Sequence, residues 1–248
     1  MTKLLIYSFS AIFLIIISLF IIFKKVKEEN KKDKILKIFA ILTVIIHFSS
    51  LWVDYLTTGS AEVENTMLFP IYPCNICMWL LLIVAFMKKK DTFIYKSIAE
   101  FLAIGGTICG LIGLFANEIF LATPDFFNWN SLKGLLSHTT MIFGTLFLLT
   151  QGYVKIKAIS LTISCTLGLV LFAVDGGLLI LLFKLCNLPE INIMFMLDFP
   201  LDIKGANFMT LGLLGIIVSF IIGNIFEFIF LKKEERWYYQ LNKNNKTE

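Results

Sequence analysis

The residues best equipped for chemistry stand together in Phe69-Pro70-Ile71-Tyr72-Pro73-Cys74-Asn75-Ile76-Cys77, which sets two thiols and an amide inside an otherwise apolar chain. The two prolines each fix φ and disfavour helix in the residue before them, so the segment is expected to be extended. A cysteine beside a histidine is the minimum for thiolate catalysis: the imidazole takes the thiol proton and the thiolate attacks an ester or thioester carbonyl. Apolar burial disfavours a thiolate, so the base has to stand close. The chain holds two histidines. His138, in Leu135-Leu136-Ser137-His138-Thr139-Thr140, is the candidate base for Cys74. A carboxylate behind it, for which Asp175 in Asp175-Gly176-Gly177 is the candidate, would fix its tautomer. Asn75 or the backbone N–H groups of the turn could stabilise an oxyanion.

Other readings compete. Cys74-x-x-Cys77 has the spacing of a dithiol redox centre. A Pro-Cys-x-x-Cys at a helix mouth resembles membrane thiol oxidases that pass electrons to quinone. Those enzymes share a second outer cysteine pair and a nearby arginine. Here Cys186 alone remains outside, and the sole arginine, Arg236, lies on the inner side. A third reading is a non-enzymatic or transport protein whose His47, Glu100 and Asp175 line a polar pathway. The plainest reading of the motif is structural: prolines start helices well, and membrane cysteines often behave as small hydrophobes. A serine-nucleophile motif, a phosphate-binding loop and a metal-ligand cluster are all lacking, since two histidines at different depths make a poor metal site. The reading therefore carries no cofactor and no metal.

The elements that must position these groups are membrane helices. With 58% hydrophobic residues and a mean hydropathy of +0.83, the chain has more apolar surface than a water-soluble fold needs. Apolar runs of about 20 residues match a hydrocarbon core of about 30 Å. The fold class expected is an all-α polytopic membrane protein, with about seven transmembrane helices in one bundle. The spans are residues 4–23, 35–56, 71–87, 93–115, 135–152, 158–185 and 208–231, with a cytoplasmic tail at 232–248 and one membrane domain over 1–248. The third is short unless it extends back through the motif. Of the 22 basic residues, all but Lys3, Lys133, Lys184 and Lys204 fall on one side when the N-terminus is outside and the C-terminus inside, as the positive-inside rule requires. The first run lacks a small-x-small cleavage site and is read as a span, not a signal peptide. The net charge of +4 is then a topology signal and a weak attraction to anionic lipid, not a sign of nucleic-acid binding. Of the five cysteines, Cys109 and Cys165 lie inside spans, which makes no disulfide framework. The abundance of Phe, Ile, Lys and Asn points to an AT-rich bacterial source.

Depth ties the chemistry to the architecture. Cys74 opens the third span and His138 sits about one turn below the outer surface. Asp175 is 17 residues into the sixth span, about 25 Å from its inner end. Thiol, imidazole and carboxylate thus share the outer third of the membrane. His47 is expected to make a structural hydrogen bond facing the bundle. Gly105, Gly106, Gly110 and Gly113 are expected to serve close helix packing.

With these residues in view, the chain resembles the YwaF-like integral membrane family, which includes transmembrane protein 164 of animals. The resemblance runs from about the second span to the seventh. Phe69-Pro70-Ile71-Tyr72-Pro73-Cys74-Asn75 is similar to the family's Leu-Pro-Leu-His-Leu-Cys-Asn. Gly105-Gly106, Thr123-Pro124-Asp125, Ser137-His138 and Asn192 to Pro200 follow in family order. The resemblance implies an acyltransferase of lipid metabolism that moves a fatty acyl chain between phospholipids through Cys74 and His138. It departs from the family at Tyr72, where histidine is common, and at Pro73. The expectation is a multi-pass cell-membrane enzyme, transferase or acyl hydrolase, acting on phospholipids or lysophospholipids near the outer leaflet. Cys74 and His138 are the catalytic pair, Asn75 and Asp175 support them, and Tyr72, Cys77 and Asn192 complete the candidates.

Overall fold

A computed structural model describes residues 2–59, 69–115, 129–197 and 207–244. Among these every regular element is a helix, with no strand. The helices are α1 (Thr2–Lys25), α2 (Glu29–Thr58), α3 (Pro73–Phe86), α4 (Phe93–Phe101), α5 (Thr107–Phe115), α6 (Trp129–Thr150), α7 (Ala158–Leu185), α8 (Phe208–Phe230) and α9 (Trp237–Asn244). A wide helical turn over Leu102–Gly106 joins α4 to α5, so Phe93–Phe115 is one kinked span. Among the described residues, six helical stretches are long and apolar enough to cross a membrane. The expected third span is instead the 14-residue α3, about 21 Å long, with Ile71 and Tyr72 left extended before it.

The shortness of α3 follows from its position. Pro73 starts it, as the missing N–H of a first-turn proline leaves no orphan donor. The run Lys88–Lys90 follows its end. It packs against α2, α4, α5 and α6, and Cys77 and Leu81 are wholly buried. A helix enclosed by neighbours need not match the bilayer thickness itself.

Around α3 the bundle has two halves. One is built on α6, which packs against α2, α5 and α1; the other pairs α7 with α8 and joins the first through α4. Small residues make the α5–α6 contact close. Gly106, Gly110 and Gly113 face Thr145, Ile142 and His138 in antiparallel register, and a Cβ on any of the three glycines would crowd those side chains. The expectation that these glycines serve packing holds. Hydroxyl hydrogen bonds reinforce the seam in place of a hydrophobic drive that lipid does not supply. Thr107 donates to Thr145 at 2.9 Å, Thr43 to Thr140 at 3.0 Å, and Ser8 to the Leu114 carbonyl at 3.2 Å.

The buried carboxylates have partners on α7. Glu100 accepts hydrogen bonds from Ser160 (2.6 Å) and Ser164 (3.0 Å). Glu227 accepts from the backbone N–H of Ala158 (2.7 Å) and of Trp237 (2.9 Å), capping the first turns of α7 and α9 at once. At the lysine-rich end, Lys90 and the Tyr153 hydroxyl both donate to Asp33 at 2.5 Å. Burial, and then that carboxylate, push the Tyr153 phenol above its usual range.

Candidate functional site

Cys74 stands in the first turn of α3, half-buried, and its thiol donates to Asn75 Oδ1 at 3.3 Å. Asn75 itself is buried, so an amide is held against the thiol. Cys77, one turn further, is turned toward the middle of the bundle. Its thiol meets that of Cys109 on α5, and Cys109 also lies within electrostatic reach of Cys74. The pairing of thiols therefore runs between helices, and all five cysteines are free.

His138 is held from two sides. Its Nδ1 is 2.7 Å from the carbonyl oxygen of Gly134, four residues back on α6. A carbonyl only accepts, so Nδ1 carries the proton and Nε2 keeps its lone pair. The Nε2 side of the ring lies against Gly113 of α5, where a side chain of any size would collide with it. Helix α6 begins at Trp129, earlier than expected, so His138 is nine residues, about 13 Å, from its start. The helix is fixed to α2 by Trp129 Nε1 donating to Ser49 (2.8 Å) and Lys133 to Ser50 (3.0 Å).

The structure brings Cys74 together with Asn75, and Cys77 with Cys109. It does not join Cys74 to His138: among the described residues no hydrogen bond links them. Nor does it join Asp175 to His138. Asp175 is on α7, in the other half of the bundle, and its Oδ2 is buried without a hydrogen-bond partner among the described residues. His47 lies within electrostatic reach of Lys133 and His138, but its Nε2 has no partner there, unlike the structural bond expected for it. His47, Glu100 and Asp175 sit at separate helix contacts, and no hydrogen bond joins any two of them. Among the described residues no group of His, Cys, Asp and Glu is arranged to hold a metal.

Tyr72 caps α3 with extended backbone, and its ring stacks on Phe195, centroids 5.5 Å apart. Asn192 Oδ1 accepts from the Leu197 N–H at 3.1 Å. Thr123-Pro124-Asp125 and Asp198 to Pro200 lie outside the described residues. Sequence reading did not select Cys109, the Gly134 carbonyl or Phe195. For Cys109 a signal was available: it lies six residues before the end of its span, within a turn of the depth of Cys77, four residues after Pro73.

Packed apolar helices, six of them among the described residues long enough to cross a membrane, define a polytopic α-helical membrane protein. The TMEM164 family model matches residues 1–234, and the chain belongs to this family. No curated protein and no solved structure matches the chain.

Proposed function

We propose that this protein is a membrane-embedded acyltransferase that moves fatty acyl chains between phospholipids near the outer leaflet, with Cys74 as nucleophile and His138 as base. The observation that carries the reading is the state of His138. Its Nδ1 is tied to a backbone carbonyl, so Nε2 is the nitrogen free to take a proton, and it sits at the contact between α5 and α6 that borders α3. The family's implied chemistry supports the same pair.

In the first half-reaction Nε2 accepts the Cys74 proton and the thiolate adds to the donor's ester carbonyl. The tetrahedral intermediate collapses to a thioester, and the lysophospholipid leaves as an alcohol with the proton from Nε2. In the second, Nε2 deprotonates an acceptor hydroxyl, which attacks the thioester; the thiol is regenerated. In this reading the Asn75 side-chain N–H group donates to the developing oxyanion. The Gly134 carbonyl performs the orienting role for which Asp175 was the candidate. Since Cys74 and His138 share no hydrogen bond at rest, substrate entry has to draw the first turn of α3 toward α6, as sites without substrate often tighten on binding.

The topology that goes with this reading has the N-terminus outside, the lysine-rich loops inside and α3 as a short seventh crossing of the cell membrane. The AT-rich residue usage fits a bacterial source.

The test is acyl transfer in lipid nanodiscs from a labelled phospholipid to a lysophospholipid. Wild type, Cys74→Ala, His138→Ala and Cys77→Ala are compared, with the thioester trapped by hydroxylamine. Transfer lost with Cys74→Ala and His138→Ala but kept with Cys77→Ala is the expected result. No transfer by the wild type across several headgroups refutes the reading.

A further inference from the structure

We infer that the segment Asn192–Leu197 is a strap that positions Cys74, acting through Tyr72 and Ile71, with Met194 and Phe195 as positioning residues. The inference rests on the proposed nucleophile but not on its substrate.

Two contacts tie the strap to the cysteine segment, and a third ties that segment to α7. The Met194 N–H donates to the Ile71 carbonyl at 2.8 Å, the Phe195 ring stacks on Tyr72, and Phe69 packs edge-on against Phe183 of α7, centroids 5.6 Å apart. Ile71, Ile193 and Met194 are almost wholly buried at this junction. The strap in turn is seated on α7. Gly176 has no side chain, and a Cβ there would stand 2.5 Å from Met196 Sδ and 3.1 Å from Met194 Cγ. The glycine is what lets both methionines lie against the helix.

The backbone of the strap is strained. Met194 has φ 53° and Phe195 φ 55°, two successive left-handed residues with full side chains. That region is costly for any residue with a Cβ and persists only where the surroundings hold it. Glycine would remove the strain but also the two side chains that do the holding. The turn aims the Met194 N–H at Ile71 and the Phe195 ring at Tyr72. Tyr72 is the cap of α3, and its carbonyl accepts the Asn75 N–H at 2.9 Å. Cys74 lies between the two. The angle at which the first turn of α3 presents its thiol is therefore set from α7, in the half of the bundle that does not carry His138.

The experiment uses the full chain in nanodiscs and measures how fast N-ethylmaleimide alkylates Cys74, by peptide mass spectrometry, with exposed Cys186 as the internal reference. Phe195→Ala should raise the Cys74 rate at least fivefold relative to Cys186 and lower kcat for transfer with little change in KM. Phe195→Tyr, which keeps the stack, should restore both. Met194→Gly, which keeps the left-handed turn and its N–H but loses the side chain seated on Gly176, should raise the Cys74 rate by less than Phe195→Ala, because the Tyr72 stack remains. An unchanged Cys74 rate in folded Phe195→Ala overturns the strap. So does a Phe195→Ala protein in which Cys74 and Cys186 accelerate alike, since that is general loosening. If the wild type transfers no acyl chain yet Phe195→Ala accelerates Cys74 alone, the acyltransferase reading falls and the strap stands. If transfer is present and alkylation does not move, the reverse holds.

Discussion

Gly113→Ala should separate a working imidazole from a merely packed one. The added methyl would land on the His138 ring: Cε1 stands 2.7 Å from an ideal Cβ, and Nε2 and Cδ2 are nearer still. The ring cannot swing away freely, because its Nδ1 is held 2.7 Å from the Gly134 carbonyl. Either that hydrogen bond breaks or α5 and α6 part. Overpacking of this kind costs about 1–3 kcal/mol of stability. A catalytic group displaced by about 1 Å loses on the order of a hundredfold in rate, or about 2.7 kcal/mol of transition-state stabilisation. Gly110→Ala is the control on the same stripe. There the near atoms are Ile142 Cγ1 at 2.6 Å and Met141 Cε at 3.3 Å, aliphatic groups with no part in proton transfer. It should lose comparable stability but less than about fivefold in rate, or ~1 kcal/mol. Two readouts are needed: acyl transfer in nanodiscs, and carbethoxylation of His138 by diethyl pyrocarbonate. Since the chain has two histidines, His47 is the internal reference. A folded Gly113→Ala protein with wild-type transfer and unchanged His138 modification would refute the reasoning. Equal inactivation by Gly110→Ala would reduce the effect to helix separation.

Three further outcomes are expected. Oxidation by copper(II) phenanthroline, with oxygen as the final electron acceptor, should give a Cys77–Cys109 disulfide; a dominant Cys74–Cys77 product in the peptide map would contradict the thiol arrangement. Glu227→Ala leaves two N–H groups without their acceptor, at about 1–3 kcal/mol each, so the melting temperature should fall by several degrees while Glu227→Gln falls less; an unchanged melting temperature in Glu227→Ala would remove the double cap. A membrane-impermeant maleimide added to intact cells should label Cys186, and labelling only after permeabilisation would invert the proposed topology.

The helical, membrane-spanning architecture was legible because period and length dominate in a bilayer. Apolar runs set α1, α7 and α8 to within two residues, since every backbone polar group in lipid has to be satisfied within its own helix, whereas α2 starts at Glu29, six residues before its apolar run. What length alone could not give was α3. Its residues are as apolar as a full span, but burial inside the bundle lets it be short. The early start of α6 was hidden by Asn130, Ser131 and Lys133, polar residues that read as loop; among them Lys133 is held by Ser50 on α2. The glycine stripe was visible as spacing, but its partner at His138 was not, because contact between helices depends on their rotation as well as their depth. Asp175 shows the same limit. Its depth matched, yet α7 lies in the other half of the bundle.

Tyr72 is the position where the chain departs from the family's common histidine, and the geometry says what such a histidine is not needed for. Orienting His138 falls to the Gly134 carbonyl, a backbone group that substitution at 72 cannot remove. Proton transfer requires one nitrogen with a free lone pair, and fixing Nδ1 as the donor provides it at Nε2. What position 72 does contribute is the ring against Phe195 and the carbonyl that opens α3. An imidazole is smaller than a phenol ring and would cover less of Phe195. The tyrosine is therefore matched to the strap and not to the proton. In this chain the residue two before Cys74 holds the helix that carries the thiol, and the imidazole across the bundle has its tautomer set without help from it.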